Sequence, residues 1–187
     1  MSADYLELIE GVCSLIKLLP RFDHTTPHQQ LPENGVYAFF ELGEVAVWRG
    51  VTIDRVVRIG THKKDRRFRK RMRQHYGNSR SLSGNKNGSV FRKHLGGALL
   101  RRVDPQDPRL RPWLKQNGPS FADIEESVSR ILRGTFTFSC FRVDDQADRF
   151  SLESGLIALF ARFPPGTPSP NWLGRYAASE KINGSGL

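Results

Sequence analysis

The chain has 187 residues, 38% of them hydrophobic and 26% charged, which suits one soluble globular domain with its own core and argues against a second. No apolar run approaches the length of a membrane-crossing helix, and residues 1–11 are acidic where a secretory leader would be basic, so a cytoplasmic protein with no membrane partner is expected. The 29 Lys and Arg against 19 Asp and Glu give a formal net charge of +10, which favours a polyanionic partner, with nucleic acid first. Cys13 and Cys140 stand far apart with no CxxC pair or spaced histidines, which argues against a disulfide scaffold and a zinc site.

In chain order, Tyr5, Leu8, Ile9, Val12, Leu15, Ile16 and Leu19 recur at helical spacing up to Pro20, predicting an amphipathic N-terminal helix. A polar loop over 23–34, where His24 and His28 read as loop residues, leads to β-rich runs at 36–40 and 55–59, with 45–48 extending the same sheet. Residues 65–76 lack Gly and Pro and set Phe68, Met72 and Tyr76 along one edge, predicting a helix whose other faces are basic. Residues 80–88 (RSLSGNKNG) read as a mobile turn-rich stretch, and Ser89 as the cap of a helix through Phe91, Leu95, Leu99 and Leu100, weakened by Gly96 and Gly97.

Residues 104–119 read as a Pro-rich connection, and Ser120 with Asp123 as a capping box for a helix to Leu132. Residues 135–143 (TFTFSCFRV) read as a strand, 147–163 as an apolar helix ending before Pro164 and Pro165, and 171–176 as a short amphipathic piece in the tail. This order of elements predicts an α+β fold. The expected organisation is an N-terminal helix and loop over 1–34, a main domain over 35–176 with a helical insertion at 80–133, and a tail over 177–187.

Several polar residues fall at notable places in that frame. Gly35-Val36-Tyr37 stands on the first strand, Arg58-Ile59-Gly60 ends the second, and the next helix carries Arg71 and His75 four apart. Glu153 lies on the same helical face as Ile157 and Phe160, an odd position for an acid unless a cation meets it. Asn171 follows in Ser169-Pro170-Asn171-Trp172. The ordered set resembles the GIY-YIG endonucleases, over roughly residues 35–172.

The resemblance implies a small three-stranded antiparallel sheet flanked by helices, and Mg²⁺-dependent (or Mn²⁺-dependent) hydrolysis of phosphodiester bonds in DNA, expected to be duplex. It implies Glu153 as the metal ligand, a role one carboxylate can fill because Mg²⁺ completes its shell with water and phosphate oxygens. Arg71 would stabilise charge on the phosphoryl group, His75 would position water or phosphate, and Asn171 would ligate or orient through its amide. Tyr37 would act as general base or as part of a relay to one. A phenol with its ordinary pKa near ~10 is almost wholly protonated at neutral pH, so such a base needs cations beside it. The second motif departs from the family, with Arg58 where a tyrosine is usual. A guanidinium can contact phosphate but cannot act as a base. His62, two residues past Gly60, could compensate, or be an ordinary loop residue.

Lys63, Lys64, Arg66, Arg67, Arg69, Lys70 and Arg73 surround Arg71, and Arg92 and Lys93 open the helix after Ser89. They are expected to neutralise DNA phosphates without reading sequence. Lys86, Arg101 and Arg102 extend that basic segment, and a solvated basic face is the plainer alternative. A homodimer is expected if each subunit carries one site and both strands are cut at once. The competing functions are a catalytically inactive DNA- or RNA-binding module of the same fold and a basic RNA- or ribosome-binding protein.

Overall fold

The computed structural model describes residues 3–48, 51–161, 168–179 and 182. Its described elements are α1 (Ala3–Leu18), β1 (Gly35–Trp48), β2 (Val51–Gly60), α2 (Phe68–Tyr76), α3 (Val90–Val103), α4 (Leu110–Leu114), α5 (Ala122–Thr135), β3 (Phe136–Arg142) and α6 (Gln146–Ala161), with 3-10 turns at His28–Gln30 and Leu173–Tyr176. The fold is α+β, as expected: a three-stranded antiparallel sheet in the order β2-β1-β3, with six described α-helices. None of the described helices is long and apolar enough to cross a membrane.

Period-two alternation along β1 gives the sheet two buried faces. Tyr37 and Phe39 point to one side, into a core shared with Met72 of α2, Leu95 of α3 and Val128 of α5. Val36, Ala38 and Phe40 point to the other, where Ile9, Cys13 and Ile16 of α1 and Leu156, Leu159 and Phe160 of α6 cover them. The runs predicted at 36–40 and 45–48 are one strand, interrupted by register shifts at Phe39/Phe40 and Phe40/Val45. Gly43 sits in that interruption at φ +84°, a conformation that favours glycine.

The helix predicted from residue 65 starts at Phe68, because the preceding loop is fixed in another shape. Arg66 is left-handed at φ 57°, its backbone N–H donates to Asn34 Oδ1 (2.7 Å), and Asp65 receives Arg149 Nη2 (2.6 Å). Gly96 and Gly97 leave α3 unbroken and make room for α4, which the Pro-rich reading of 104–119 did not contain. A Cβ on Gly96 would lie 2.4 Å from the Trp113 ring and one on Gly97 2.7 Å from Leu114.

The expected capping box before α5 is absent. Phe121 holds the N-cap position and the Ser120 hydroxyl donates instead to Glu125 Oε1 (2.9 Å). Residues 80–88 are pinned rather than loose: Lys86 is buried, with its backbone N–H on Glu125 Oε1 (2.6 Å) and its Nζ on Lys115 O (3.2 Å). The last helix is described to Ala161, and the stop expected at Pro164 and Pro165 lies outside the described residues.

Candidate active site

The middle strand carries Tyr37 directly opposite Gly60 of β2. A Cβ at Gly60 would fall 2.3 Å from the Tyr37 hydroxyl, so this residue must be glycine for the phenol to lie where it does. From there Tyr37 Oη meets His75 Nε2 at 2.8 Å, and His75 Nδ1 meets Ser89 Oγ at 2.8 Å. All three side chains are fully buried. Burial, with Arg71, Arg58 and Arg92 nearby, pushes the His75 pKa well below its ordinary value, so the ring is neutral. Both its nitrogens are engaged, and it meets Tyr37 and Ser89 rather than the open cleft described next.

An open cleft of about 480 Å³ begins one residue past Gly60, where Thr61 forms part of its wall. Arg71 and Glu153 line it together, one from α2 and the other from α6, with Lys63, Lys64, Arg67 and Lys70 along its edge. Arg71 donates one Nη1 bond to Gly88 O (2.8 Å), and its buried Nε has no partner among the described residues. Glu153 Oε1 accepts the Thr61 backbone N–H at 3.1 Å. Burial raises the Glu153 pKa, while that N–H and the charges of Arg58 and Arg71 pull it down.

Arg58 lies opposite Phe39 on β2, its guanidinium 5.2 Å from the centre of the Phe91 ring and its Nε without a partner among the described residues. It stands near enough to both His75 and Glu153 to act on them electrostatically. His62 is a latch: the Gly35 N–H donates to Nε2 (3.2 Å), which makes Nε2 the acceptor, so Nδ1 carries the hydrogen and donates to Lys64 O (2.7 Å). With both nitrogens occupied, it has no free group to replace a missing tyrosine.

The structure separates other residues from this group. Asn171 is exposed and outside the cleft. Its backbone N–H donates to Ser169 Oγ (3.2 Å), and Ser169 in turn bonds Glu44 in the outer half of β1, where Arg55 pairs with Glu44 (2.8 Å) and lies over Trp172. Arg92, expected on the DNA surface, is wholly buried. Its guanidinium donates to Glu125 Oε2 (2.8 Å), Glu125 O (2.7 Å), His75 O (2.9 Å) and Ser129 Oγ (3.0 Å), leaving no face for DNA.

Arg69 is half-buried and spends Nε and Nη2 on Leu31 O, and Lys93 is half-buried beside Gln116. Lys63, Lys64, Arg66, Arg67, Lys70 and Arg73 are exposed. Reading the sequence missed Arg149, which is wholly buried one helical turn before Glu153, ties α6 to the basic loop through Asp65, and donates to the carbonyls of Val143 and Asp144 in the turn before its own helix. It also missed the supporting role of Ser89, whose cap signal was visible but whose contact with His75 was not.

The donor set fits a hard dication only in its simplest form. No cluster of three or more His, Cys, Asp and Glu that could hold a metal occurs among the described residues. Glu153 alone among the residues lining the cleft offers a carboxylate, with one oxygen on the Thr61 N–H. A Mg²⁺ ion held by one carboxylate, with water and phosphate completing its shell, is compatible with that arrangement.

Comparison with curated proteins and with solved structures gave no match. The family model described as GIY-YIG domain matches residues 4–187, nearly the whole chain. Members of that family are typically nucleases and generally use a divalent metal. On the strength of that match, the chain belongs to the GIY-YIG domain family.

Proposed function

We propose that the protein is a metal-dependent DNA endonuclease that hydrolyses phosphodiester bonds in the cleft between α2 and α6. The observation that carries this reading is the meeting of Glu153 and Arg71 in a cleft edged with lysine and arginine, whose wall residue Thr61 follows the Gly60 on which the Tyr37 hydroxyl packs. The scissile phosphate takes its place against Arg71, whose unused donors, Nε among them, suit phosphate oxygens, and Arg58 adds a second positive charge nearby. Lys63, Lys64, Arg67 and Lys70 hold the flanking backbone by charge, and Arg66 and Arg73 extend that surface.

Glu153 would hold Mg²⁺ or Mn²⁺ there, and the ion would polarise the phosphoryl group and relieve charge on the leaving oxygen. Tyr37 first releases its hydroxyl hydrogen to solvent, and the phenolate then takes a proton from the attacking water as the water oxygen bonds to phosphorus. The phosphorus–oxygen bond to the leaving group then breaks, and that oxygen is protonated from solvent. The phenol is covered in the free protein, so entry of the phosphate at the Gly60 end of β2 has to give water access to it.

Supercoiled plasmid and mixed genomic DNA, each incubated with and without Mg²⁺ beside a Glu153→Gln variant, test the proposal. Metal-dependent cleavage that the variant loses by on the order of 10²-fold or more, with DNA binding retained, is expected. Tight, salt-sensitive binding without cleavage by the wild type would establish the inactive binding module instead.

A further inference from the structure

We propose that Ser89 is a positioning residue that turns His75 so that Nε2–H is donated to the Tyr37 oxygen, an inference that rests on Tyr37 being the proton acceptor of the proposed hydrolysis. Tyr37, His75 and Ser89 are joined by two contacts of 2.8 Å and carry three exchangeable hydrogens, so one hydrogen is left over whichever way the chain runs.

Either direction leaves one hydroxyl hydrogen in a fully buried site; if Tyr37 donated to Nε2, Ser89 Oγ would receive both Nδ1–H and the Arg92 backbone N–H (3.2 Å), and the leftover hydrogen would be that of Ser89, at the end of the chain of contacts away from Gly60. If Ser89 donates to Nδ1, the serine hydroxyl and both imidazole nitrogens are matched. The leftover hydrogen is then that of the phenol, packed on Gly60 one residue before the cleft wall. It is the hydrogen an ionising tyrosine loses.

The surrounding charges fix the number of hydrogens on the ring. Arg71 on the histidine's own helix, Arg58 from β2 and Arg92 from α3 all disfavour an imidazolium here, so the imidazole carries one hydrogen and donates from one nitrogen only. With Ser89 donating to Nδ1, that nitrogen is Nε2, and His75 acts on the tyrosine as a hydrogen-bond donor rather than as its base. Ser89 can hold this direction because its own place is fixed independently of substrate: it caps α3, and its backbone N–H bonds Lys86 O (3.2 Å) in the loop pinned to Glu125.

Two readouts test the inference. In ¹⁵N-histidine-labelled protein at neutral pH, the His75 signals, identified by their loss in His75→Asn, are expected to show a protonated Nε2 and a bare Nδ1. A protonated Nδ1 would overturn the assignment. In the second, metal-dependent cleavage is followed across pH for wild type, Ser89→Ala and Ser89→Thr. The alanine variant is expected to reach half-maximal cleavage about 1 pH unit higher, and threonine, which keeps the hydroxyl, to restore the wild-type profile. An alanine profile changed in height but not in position would mean that Ser89 serves only as a helix cap, and the inference would fall. If the wild type cleaves nothing, the hydrolysis reading falls, and the ¹⁵N signals still decide the direction of the hydrogen bonds.

Discussion

Glu125→Ala is the substitution that separates the buried support of the site from its surface. Glu125 is buried, and its carboxylate accepts the Arg92 guanidinium, the Lys86 backbone N–H and the Ser120 hydroxyl. Removing it strands a wholly buried guanidinium, for which a loss of about 3–5 kcal/mol is expected. With a urea m-value of about 2 kcal/mol/M, the unfolding midpoint should fall by roughly 2 M.

The adjacent residue supplies the control. Glu126 makes a half-exposed pair with Arg130 one turn along, so Glu126→Ala should cost no more than about 0.5 kcal/mol. Equilibrium unfolding of the two variants beside wild type reads the difference directly. Equal midpoints for the two alanine variants, or a loss below about 1 kcal/mol for Glu125→Ala, would refute the reasoning that Glu125 is what compensates the buried charge of Arg92. Below its melting range the Glu125→Ala protein should also cleave poorly. The loop it releases carries Gly88 O, which tethers Arg71, and Ser89, which holds His75, and a displacement of about 1 Å at such groups costs roughly 10²-fold.

Gly60→Ala drives a methyl group into the Tyr37 hydroxyl, and a destabilisation of about 1–3 kcal/mol with loss of cleavage is expected; unchanged melting and activity would contradict the packing described. Lys63→Ala and Lys64→Ala should each lower the slope of log affinity against log salt by about 0.9 if the residue neutralises one phosphate, with no change in sequence preference. An unchanged slope for both would remove them from the DNA surface.

His62→Gln tests the latch through pH. Burial lowers the His62 pKa in the folded protein, with Arg149 and Arg71 adding to the effect and the Lys64 carbonyl and Asp65 opposing it. The unfolded chain therefore binds the proton more readily. The latch is at full strength above the ordinary histidine value of ~6.5 and is lost as pH falls below it. Glutamine can accept from Gly35 and donate to Lys64 without titrating, so the stability advantage of wild type over the variant should shrink between pH 7 and 5. An advantage independent of pH would show that His62 does not titrate in this way.

What the sequence made legible follows from which forces are local. The apolar periodicity of the first helix and the β-rich run 36–40 report burial directly, and the two cores form on Ile9, Ile16, Val36, Tyr37, Ala38 and Phe39, while Leu8 and Leu15 of the same helical series are exposed. The exposure of Lys63, Lys64, Arg67 and Lys70 was also readable, since charges in a run stay in water unless something pairs them. Arg92 looked the same on paper. What distinguishes it is a carboxylate 33 residues away, and no local pattern announces such a pairing. The late start of α2 has a similar cause, because residues 61–67 have good helical composition but are bound by Asn34, Glu33 and Arg149 from distant segments. Asn171 fitted the order of the motifs, yet its segment is carried to the outer half of β1 by the contact between Ser169 and Glu44, which spacing along the chain does not encode.

Arg58 shows why a departure from a motif need not remove the chemistry built around it. A second tyrosine could orient water or phosphate or serve as the base, and the first of these roles needs a donor rather than a group that ionises. Arg58 supplies donors and a fixed charge, and its guanidinium lies against the Phe91 face instead of an acid that would neutralise it. From that place it disfavours the charged form of His75 and favours the charged form of Glu153. Both effects favour the ionisation states that the proposed hydrolysis requires: a neutral imidazole donating to the phenol and an ionised carboxylate for the metal. Arg58→Tyr would restore the usual motif but remove this charge. If these electrostatics govern the site, the variant should cleave DNA less well than wild type, and a gain in activity at neutral pH would show that Arg58 is a defect the fold tolerates.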